Sequence, residues 1–109
     1  RFTQLPILAM TAFALDEERF ELIVTPRGTF DLTHEHLPAA CAVFIDADHS
    51  RAGVEHDTAL ARAIVRPGGI LIWHDDNCLP VVEVTQTLND MKGHDIRHVE
   101  GTWLSYERV

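Results

Sequence analysis

The stretch Val43-Phe44-Ile45-Asp46-Ala47-Asp48-His49-Ser50 decides the fold, together with Arg66-Pro67-Gly68-Gly69 and Trp73-His74-Asp75-Asp76-Asn77. Two short apolar runs, Ala42–Ile45 and Ile70–Trp73, each stop at carboxylates and an imidazole. A segment of helical length lies between them. Because strands of a parallel sheet are apolar on both faces, this pattern predicts two buried parallel strands joined by a crossover helix. Ligands of open α/β sheets bind at the carboxyl ends of strands, so the polar clusters mark a candidate site.

The remaining segments extend this α/β pattern in both directions. Ser50 can cap the crossover helix, which Pro67-Gly68-Gly69 ends. Its predicted apolar side carries Val54, Leu60, Ala61, Ile64 and Val65, and its predicted solvent side carries Glu55, Asp57 and Arg62. The other predicted elements are helices over Leu5–Leu15 and Val81–Met91, a strand over Phe20–Thr25, and a hairpin of Asp95–Val99 with Thr102–Val109. Trp73 and Trp103 are predicted core residues.

Composition limits the possible partners. The chain has 109 residues, read as one domain over residues 1–109, with 17 acidic against 9 basic residues and a net charge of −8. Without a Lys/Arg cluster, a nucleic-acid partner is disfavoured. No apolar run is long enough to span a bilayer, so no membrane partner is expected. Cys41 and Cys78 lack a CxxC spacing and are interpreted as reduced thiols, which favours a cytoplasmic protein.

The chain from about Phe20 to its end, most densely over Val43–Asp76, resembles the class I S-adenosylmethionine-dependent methyltransferases. The matching branch reads FIDADHS…RPGG…HD and is similar to methyltransferase family 24. The resemblance covers the C-terminal half of that fold. It implies a Rossmann-like, mostly parallel sheet with a C-terminal antiparallel hairpin and with the first β-α-β portion missing. The six glycines form no Gly-rich cofactor turn. We therefore expect the 109 residues alone to bind S-adenosylmethionine weakly or not at all, with the rest of the site supplied by an N-terminal half or by a homodimer.

The strand ends provide the predicted site residues. Two carboxylates, one from Asp46 and one from Asp75 or Asp76, together with the amide oxygen of Asn77 suit Mg²⁺ or Ca²⁺. The predicted metal ligands are therefore Asp46, Asp75, Asp76 and Asn77. The resemblance to metal-dependent catechol-type O-methyltransferases implies the same use of Asp46 and of the Asp76-Asn77 pair. The predicted catalytic residues are Asp46, His49 and His74, with His49 as a general base because imidazole titrates near neutral pH. The predicted cofactor contacts are Asp31, Asp46, Ala47 and Asp48. The alternative for each polar residue is a helix cap or a solvated loop.

The predicted function is methyl transfer from S-adenosylmethionine to a small molecule, at oxygen, with assistance by Mg²⁺ as an open variant. Two alternatives stay open. One is a non-catalytic methyltransferase-like module used for binding or assembly. The other is a metal enzyme of a different class on the same scaffold, which the abundance of His and Asp permits. The acceptor cannot be read from the fold, because variable loops determine it.

Overall fold

The computed structural model describes residues 21–109 of the chain. This part contains two α-helices, α1 (Arg51–Ile64) and α2 (Val82–Asp90). It contains four strands: β1 (Ala40–Ile45), β2 (Val65–Trp73), β3 (Arg97–His98) and β4 (Ser105–Arg108). Short 3-10 helices cover Gly28–Asp31, His34–His36 and Leu79–Val81. The α/β class is confirmed for the described residues. The predicted helix Leu5–Leu15 lies outside them.

The strands form one sheet in the order β1-β2-β4-β3. β1 and β2 are parallel, and Ile45 pairs with Trp73 at their carboxyl ends. β4 runs antiparallel to both β2 and β3. The predicted C-terminal hairpin is therefore present, although its strands are shorter than the sequence suggested. Parallel pairing in the described sheet is limited to β1 and β2, so the described sheet is mixed.

Both helices pack on the same core. The buried residues that form it come from α1, β2 and α2: Val54, Ala61, Val65, Leu71, Trp73, Val84 and Leu88. Val43 and Ile45 of β1 pack against this cluster and are partly buried. The alternation along β2 follows from strand geometry, since successive side chains point to opposite faces. Gly69, Leu71 and Trp73 are buried on the helix side, while Ile70 and Ile72 are only half-buried.

Two predictions about strands were wrong. Residues 21–25, the described part of the predicted strand Phe20–Thr25, have no regular secondary structure and pair with no strand of the described sheet. β1 was expected to be buried on both faces, but Ala42 is exposed and Phe44 is 57% exposed. Successive side chains of a strand point to opposite faces of the sheet, so Ala42 and Phe44 lie on the face away from the core that Val43 and Ile45 contact.

The Pro-Gly-Gly segment belongs to β2, not to a break before it. β2 begins at Val65, directly after α1, and the register with β1 shifts between Ala40 and Ala42. Gly69 permits this close approach, because a Cβ there would lie 2.7 Å from the carbonyl oxygen of Cys41. The segment is also tied to the chain end, since Gly68 N donates to the Val109 carbonyl at 2.7 Å.

Candidate active site

The polar residues that follow β1 and β2 meet at one edge of the sheet. Asp46 comes directly after β1, and His74 and Asp75 come directly after β2. The backbone N–H of His74 donates to the Ile45 carbonyl at 3.0 Å, which joins the two strand ends. The prediction that the two strands are parallel neighbours with Asp46 and Asp75 at a common edge is confirmed.

The turn between β1 and α1 adds His49 to this edge. Ser50 N donates to Asp48 Oδ1 at 2.7 Å, and Ser50 Oγ accepts the Gly53 N–H at 3.1 Å as the N-cap of α1. Hydrogen bonds from the Ser50 side chain and backbone hold the pKa of Asp48 below its usual value. Gly53 fits against this turn, since a Cβ there would lie 2.5 Å from the Asp48 Cβ. In this structure the Asp48 carboxylate therefore shapes the turn that positions His49.

Four side chains form what we call the His/Asp cluster: Asp46, His49, His74 and Asp75. The Nε2 atom of His49 lies 2.6 Å from Asp75 Oδ2 and 3.7 Å from Asp46 Oδ1. The Nδ1 atom of His74 lies 2.9 Å from Asp75 Oδ1 and 3.7 Å from Asp46 Oδ1. The Asp75 side chain is 13% exposed and that of Asp46 is 42% exposed. Asp75 thus lies at the centre of the cluster, and Asp46 forms its solvent-accessible side.

Two aromatic rings flank His74. The ring centroid of Phe44 lies 6.1 Å from that of His74. The ring centroid of Trp103 lies 6.3 Å from that of His74, and these two rings are arranged edge to face. Trp103 is 54% exposed, so its predicted place in the core was wrong. It follows β3 in the loop before β4, where it borders the cluster without being enclosed. The predicted core position of Trp73 is confirmed, as this residue is 1% exposed.

Asp76 and Asn77 are not brought to the His/Asp cluster. The Asp76 carboxylate accepts a short hydrogen bond from the Ser105 hydroxyl, and its Oδ2 lies 3.4 Å from His98 Nδ1. Asn77 is exposed, and its backbone N–H donates to Thr85 Oγ1 at 2.6 Å. The backbone explains this separation. Asp75 and Asn77 have φ values of 63° and 68°, in the left-handed region. The backbone therefore turns at both residues, and the Asp76 side chain points away from the cluster toward Ser105.

A cavity of about 360 Å³ lies beside the cluster, between β1 and α1. Its walls are mostly apolar, and Asp46 and Ala47 line it together with residues of β1, α1 and the segment before β1. Asp31 is not among its lining residues. The backbone N–H and the guanidinium of Arg27 bind the Asp31 carboxylate and keep its pKa below the usual value.

Asp57 lies on the buried side of α1. It was expected on the solvent side of α1, but it is 6% exposed and lines the cavity. Its Oδ1 lies 3.2 Å from His56 Nδ1. The spacing contained the signal, because Asp57 is three residues after Val54 and four before Ala61, which places it on the buried side of the helix.

The fold and the cluster define an α/β domain with a His/Asp site at the carboxyl ends of two parallel strands. A family model described as a methyltransferase domain, Methyltransf_24, matches residues 9–75. The match covers more than half of the chain, and the chain belongs to this methyltransferase family. All four residues of the His/Asp cluster fall within the matched range. Domains of this kind typically use S-adenosylmethionine as the methyl donor.

No curated protein and no solved structure matches the chain significantly. Within residues 21–109, neither helix has the length and apolar character needed to cross a membrane.

Proposed function

We propose that this domain transfers a methyl group from S-adenosylmethionine to a hydroxyl oxygen of a small molecule, and that the His/Asp cluster handles the acceptor. The observation that carries the proposal is the meeting of Asp46, His49, His74 and Asp75 at one sheet edge in a methyltransferase-family chain. Proton-accepting groups at the strand ends are what an oxygen nucleophile needs, because a hydroxyl must lose its proton as it attacks.

His49 is the proposed general base. A hydroxyl oxygen between Asp46 Oδ1 and His49 Nε2, which lie 3.7 Å apart, can contact both atoms. Nε2 then accepts the hydroxyl proton, and Asp75 stabilises the imidazolium because its Oδ2 lies 2.6 Å from that nitrogen. His74 and Asp46 orient the acceptor and limit its rotation. When bound, S-adenosylmethionine supplies the electrophilic sulfonium methyl.

The described residues fit one wall of a cofactor site. The cavity beside β1 is within the size range of small-ligand pockets, and its apolar walls suit a flat, weakly polar group such as a purine. Asp46 and Ala47 at its mouth support the proposed cofactor contacts. The proposed contacts of Asp31 and Asp48 rest on the resemblance alone, since Arg27 and Ser50 already occupy their carboxylates.

Assistance by Mg²⁺ is part of the proposal. A divalent cation held by Asp46 and Asp75 would lower the pKa of the acceptor hydroxyl. The proposed ligand roles of Asp76 and Asn77 rest on residue type, because Asp76 contacts Ser105 and His98 instead.

The acceptor and the compartment are proposed from composition. A net charge of −8 disfavours a nucleic-acid acceptor, which supports a small molecule. The free thiols of Cys41 and Cys78 support a cytoplasmic protein.

The test is methyl incorporation by the complete natural protein. The purified protein is incubated with methyl-labelled S-adenosylmethionine and a panel of catechols, other phenols and aliphatic alcohols, and products are identified by mass spectrometry. We expect methyl ethers, and a loss of about 10²–10⁴-fold in kcat for His49→Gln, the range of general base catalysis. His98→Gln is the matched control, because His98 faces Asp76 and not the cluster.

Two results would contradict the proposal. Methylation at nitrogen or carbon with equal efficiency in His49→Gln would remove the role of His49. Binding of S-adenosylmethionine in calorimetry without transfer to any acceptor, or no binding at all, would favour the non-catalytic module.

A further inference from the structure

We propose that Asp57 recognises the amino group of a purine bound in the cavity between β1 and α1, and that it selects adenine against 6-oxopurines. The inference rests on the proposed function, which gives this cavity to the purine of S-adenosylmethionine. Its evidence is a buried carboxylate oxygen that has no hydrogen-bond partner among the described residues. Asp57 lies on a helix, apart from the strand ends that carry the His/Asp cluster.

The Asp57 carboxylate is buried, and one of its two oxygen atoms is unsatisfied. The side chain is 6% exposed, and its Oδ1 lies 3.2 Å from Nδ1 of His56, whose side chain is 30% exposed. Oδ2 is shielded from solvent and makes no hydrogen bond with any described residue. Buried polar atoms of native proteins nearly always have a partner, because burial without one is costly. Oδ2 is therefore a candidate acceptor for a donor group of a ligand.

The cavity that Asp57 lines offers acceptors and few donors. Its described walls are apolar apart from Thr29, Asp46 and Asp57. The carboxylates accept hydrogen bonds and donate none when they are ionised. The Thr29 hydroxyl is the single side-chain donor among the described lining residues, and it makes no hydrogen bond to Asp57 Oδ2. A ligand that carries an N–H donor on an apolar body therefore complements the cavity.

The position of Asp57 along α1 places it inside the cavity, away from its mouth. The helix begins with Arg51, just after the turn that follows β1, and Asp57 is six residues further along the chain. It therefore lies about 9 Å along the helix axis from the first residue. A purine whose sugar side is at Asp46 and Ala47 points its ring substituents toward Asp57. The χ2 torsion of aspartate is broad, so the carboxylate can turn toward an entering donor.

The chemistry of a carboxylate favours an amino group over an oxo group at the purine 6-position. The 6-amino group of adenine donates hydrogen bonds, whereas the 6-oxo group of hypoxanthine accepts them. An ionised carboxylate beside the oxo group would place acceptor against acceptor and leave Oδ2 unpaired. Sites with buried polar groups reject ligands that leave those groups unpaired. The loss of one hydrogen bond to a charged group lowers affinity by about 10–100-fold.

The test compares two ligands that differ only at the purine 6-position. S-adenosylhomocysteine and S-inosylhomocysteine are titrated into the complete natural protein by calorimetry, without a methyl acceptor. We expect the inosyl ligand to bind at least about 10-fold more weakly. In Asp57→Asn the two affinities should come within about 3-fold of each other, because the side-chain amide can present either its oxygen or its amino group.

Asp90→Asn is the matched control. It makes the same chemical change at an exposed residue of α2 that contacts Arg51 and does not line the cavity. It should keep the affinity ratio of the unsubstituted protein. Circular dichroism without ligand establishes that each variant is folded. The comparison of the two ligands in the unsubstituted protein needs no substitution, so it tests the inference even if Asp57→Asn does not fold.

Three results would overturn the inference. They are equal affinities of the two ligands for the unsubstituted protein, an affinity ratio that is unchanged in Asp57→Asn, and no binding of either ligand. Because no acceptor is present, the titrations are separate from the methyl-transfer assay. Discrimination at the 6-position without methyl transfer would refute only the proposed reaction, and methyl transfer without discrimination would refute only the role of Asp57.

Discussion

A buried hydrogen bond between α1 and β2 should make a measurable contribution to the free energy of unfolding. Trp73 Nε1 donates to Thr58 Oγ1 at 2.9 Å, and both residues are 1% exposed. Thr58→Val keeps the shape of the side chain but removes the acceptor, so the indole N–H is left buried without a partner. We expect this to lower the free energy of unfolding by about 1–3 kcal/mol, the desolvation cost of an unsatisfied group.

A control separates the hydrogen bond from packing. Thr58→Ser keeps the hydroxyl and deletes one buried methyl group, which costs about 1 kcal/mol. Trp73→Phe removes the donor, so Thr58→Val should cost little in that background. The coupling energy between the two substitutions should reach about 0.5–3 kcal/mol, as for other contacting pairs.

Urea denaturation followed by circular dichroism measures all four variants, including the double mutant. The same cost of Thr58→Val with and without the indole would refute the argument, as would a Thr58→Ser protein less stable than Thr58→Val. The result bears on the site, because Trp73 directly precedes His74 and fixes the end of β2.

Gly69→Ala should destabilise the protein by about 1–3 kcal/mol, since its Cβ would lie 2.7 Å from the Cys41 carbonyl oxygen, a backbone atom that cannot move aside; a urea midpoint equal to that of the unsubstituted chain would contradict this. Carboxyl NMR should show the Asp31 pKa below its ordinary value, so that its contribution to stability is present above that value and is lost as the pH falls through the lowered pKa. Arg27→Gln should raise the Asp31 pKa only part of the way back to its ordinary value, because the backbone N–H of Arg27 is the largest cause of the lowering and remains. A complete return to the ordinary value would show that the guanidinium dominates.

The strand-helix-strand unit could be predicted because its signals are local. Short apolar runs that end in polar residues, with Ser50 as a cap between them, predict β1, α1 and the second half of β2. The start of β2 at Val65 was missed, because Pro67-Gly68-Gly69 was interpreted as a break. Their parallel pairing then places Asp46 and Asp75 together, since such crossovers join neighbouring strands. This much of the candidate site followed from the sequence.

The positions of the other predicted site residues could not be assigned in this way. The direction of Asp76 depends on Ser105, which lies 29 residues further along the chain. Nothing in the sequence His74-Asp75-Asp76-Asn77 shows that the Asp76 carboxylate points toward the hairpin. The exposure of Phe44 likewise depends on what covers the second face of the sheet, a property of the whole fold. The prediction of the site was therefore limited by contacts between residues that are distant in the sequence, and not by the identification of the residue types.

The adjacent carboxylates of Asp75 and Asp76 face different ways and connect the His/Asp cluster to the β3–β4 hairpin, beside the contact of Trp103 with His74. Asp75 belongs to the His/Asp cluster. The Asp76 carboxylate accepts a hydrogen bond from Ser105 of β4, and the Asp76 backbone N–H donates to the Trp103 carbonyl at 3.1 Å. Left-handed backbone on both sides of Asp76 costs about 1 kcal/mol per residue and leaves few other arrangements of this segment. The β3–β4 hairpin is thus joined to Asp75 through a single peptide unit, and we expect a displacement of the hairpin to move Asp75.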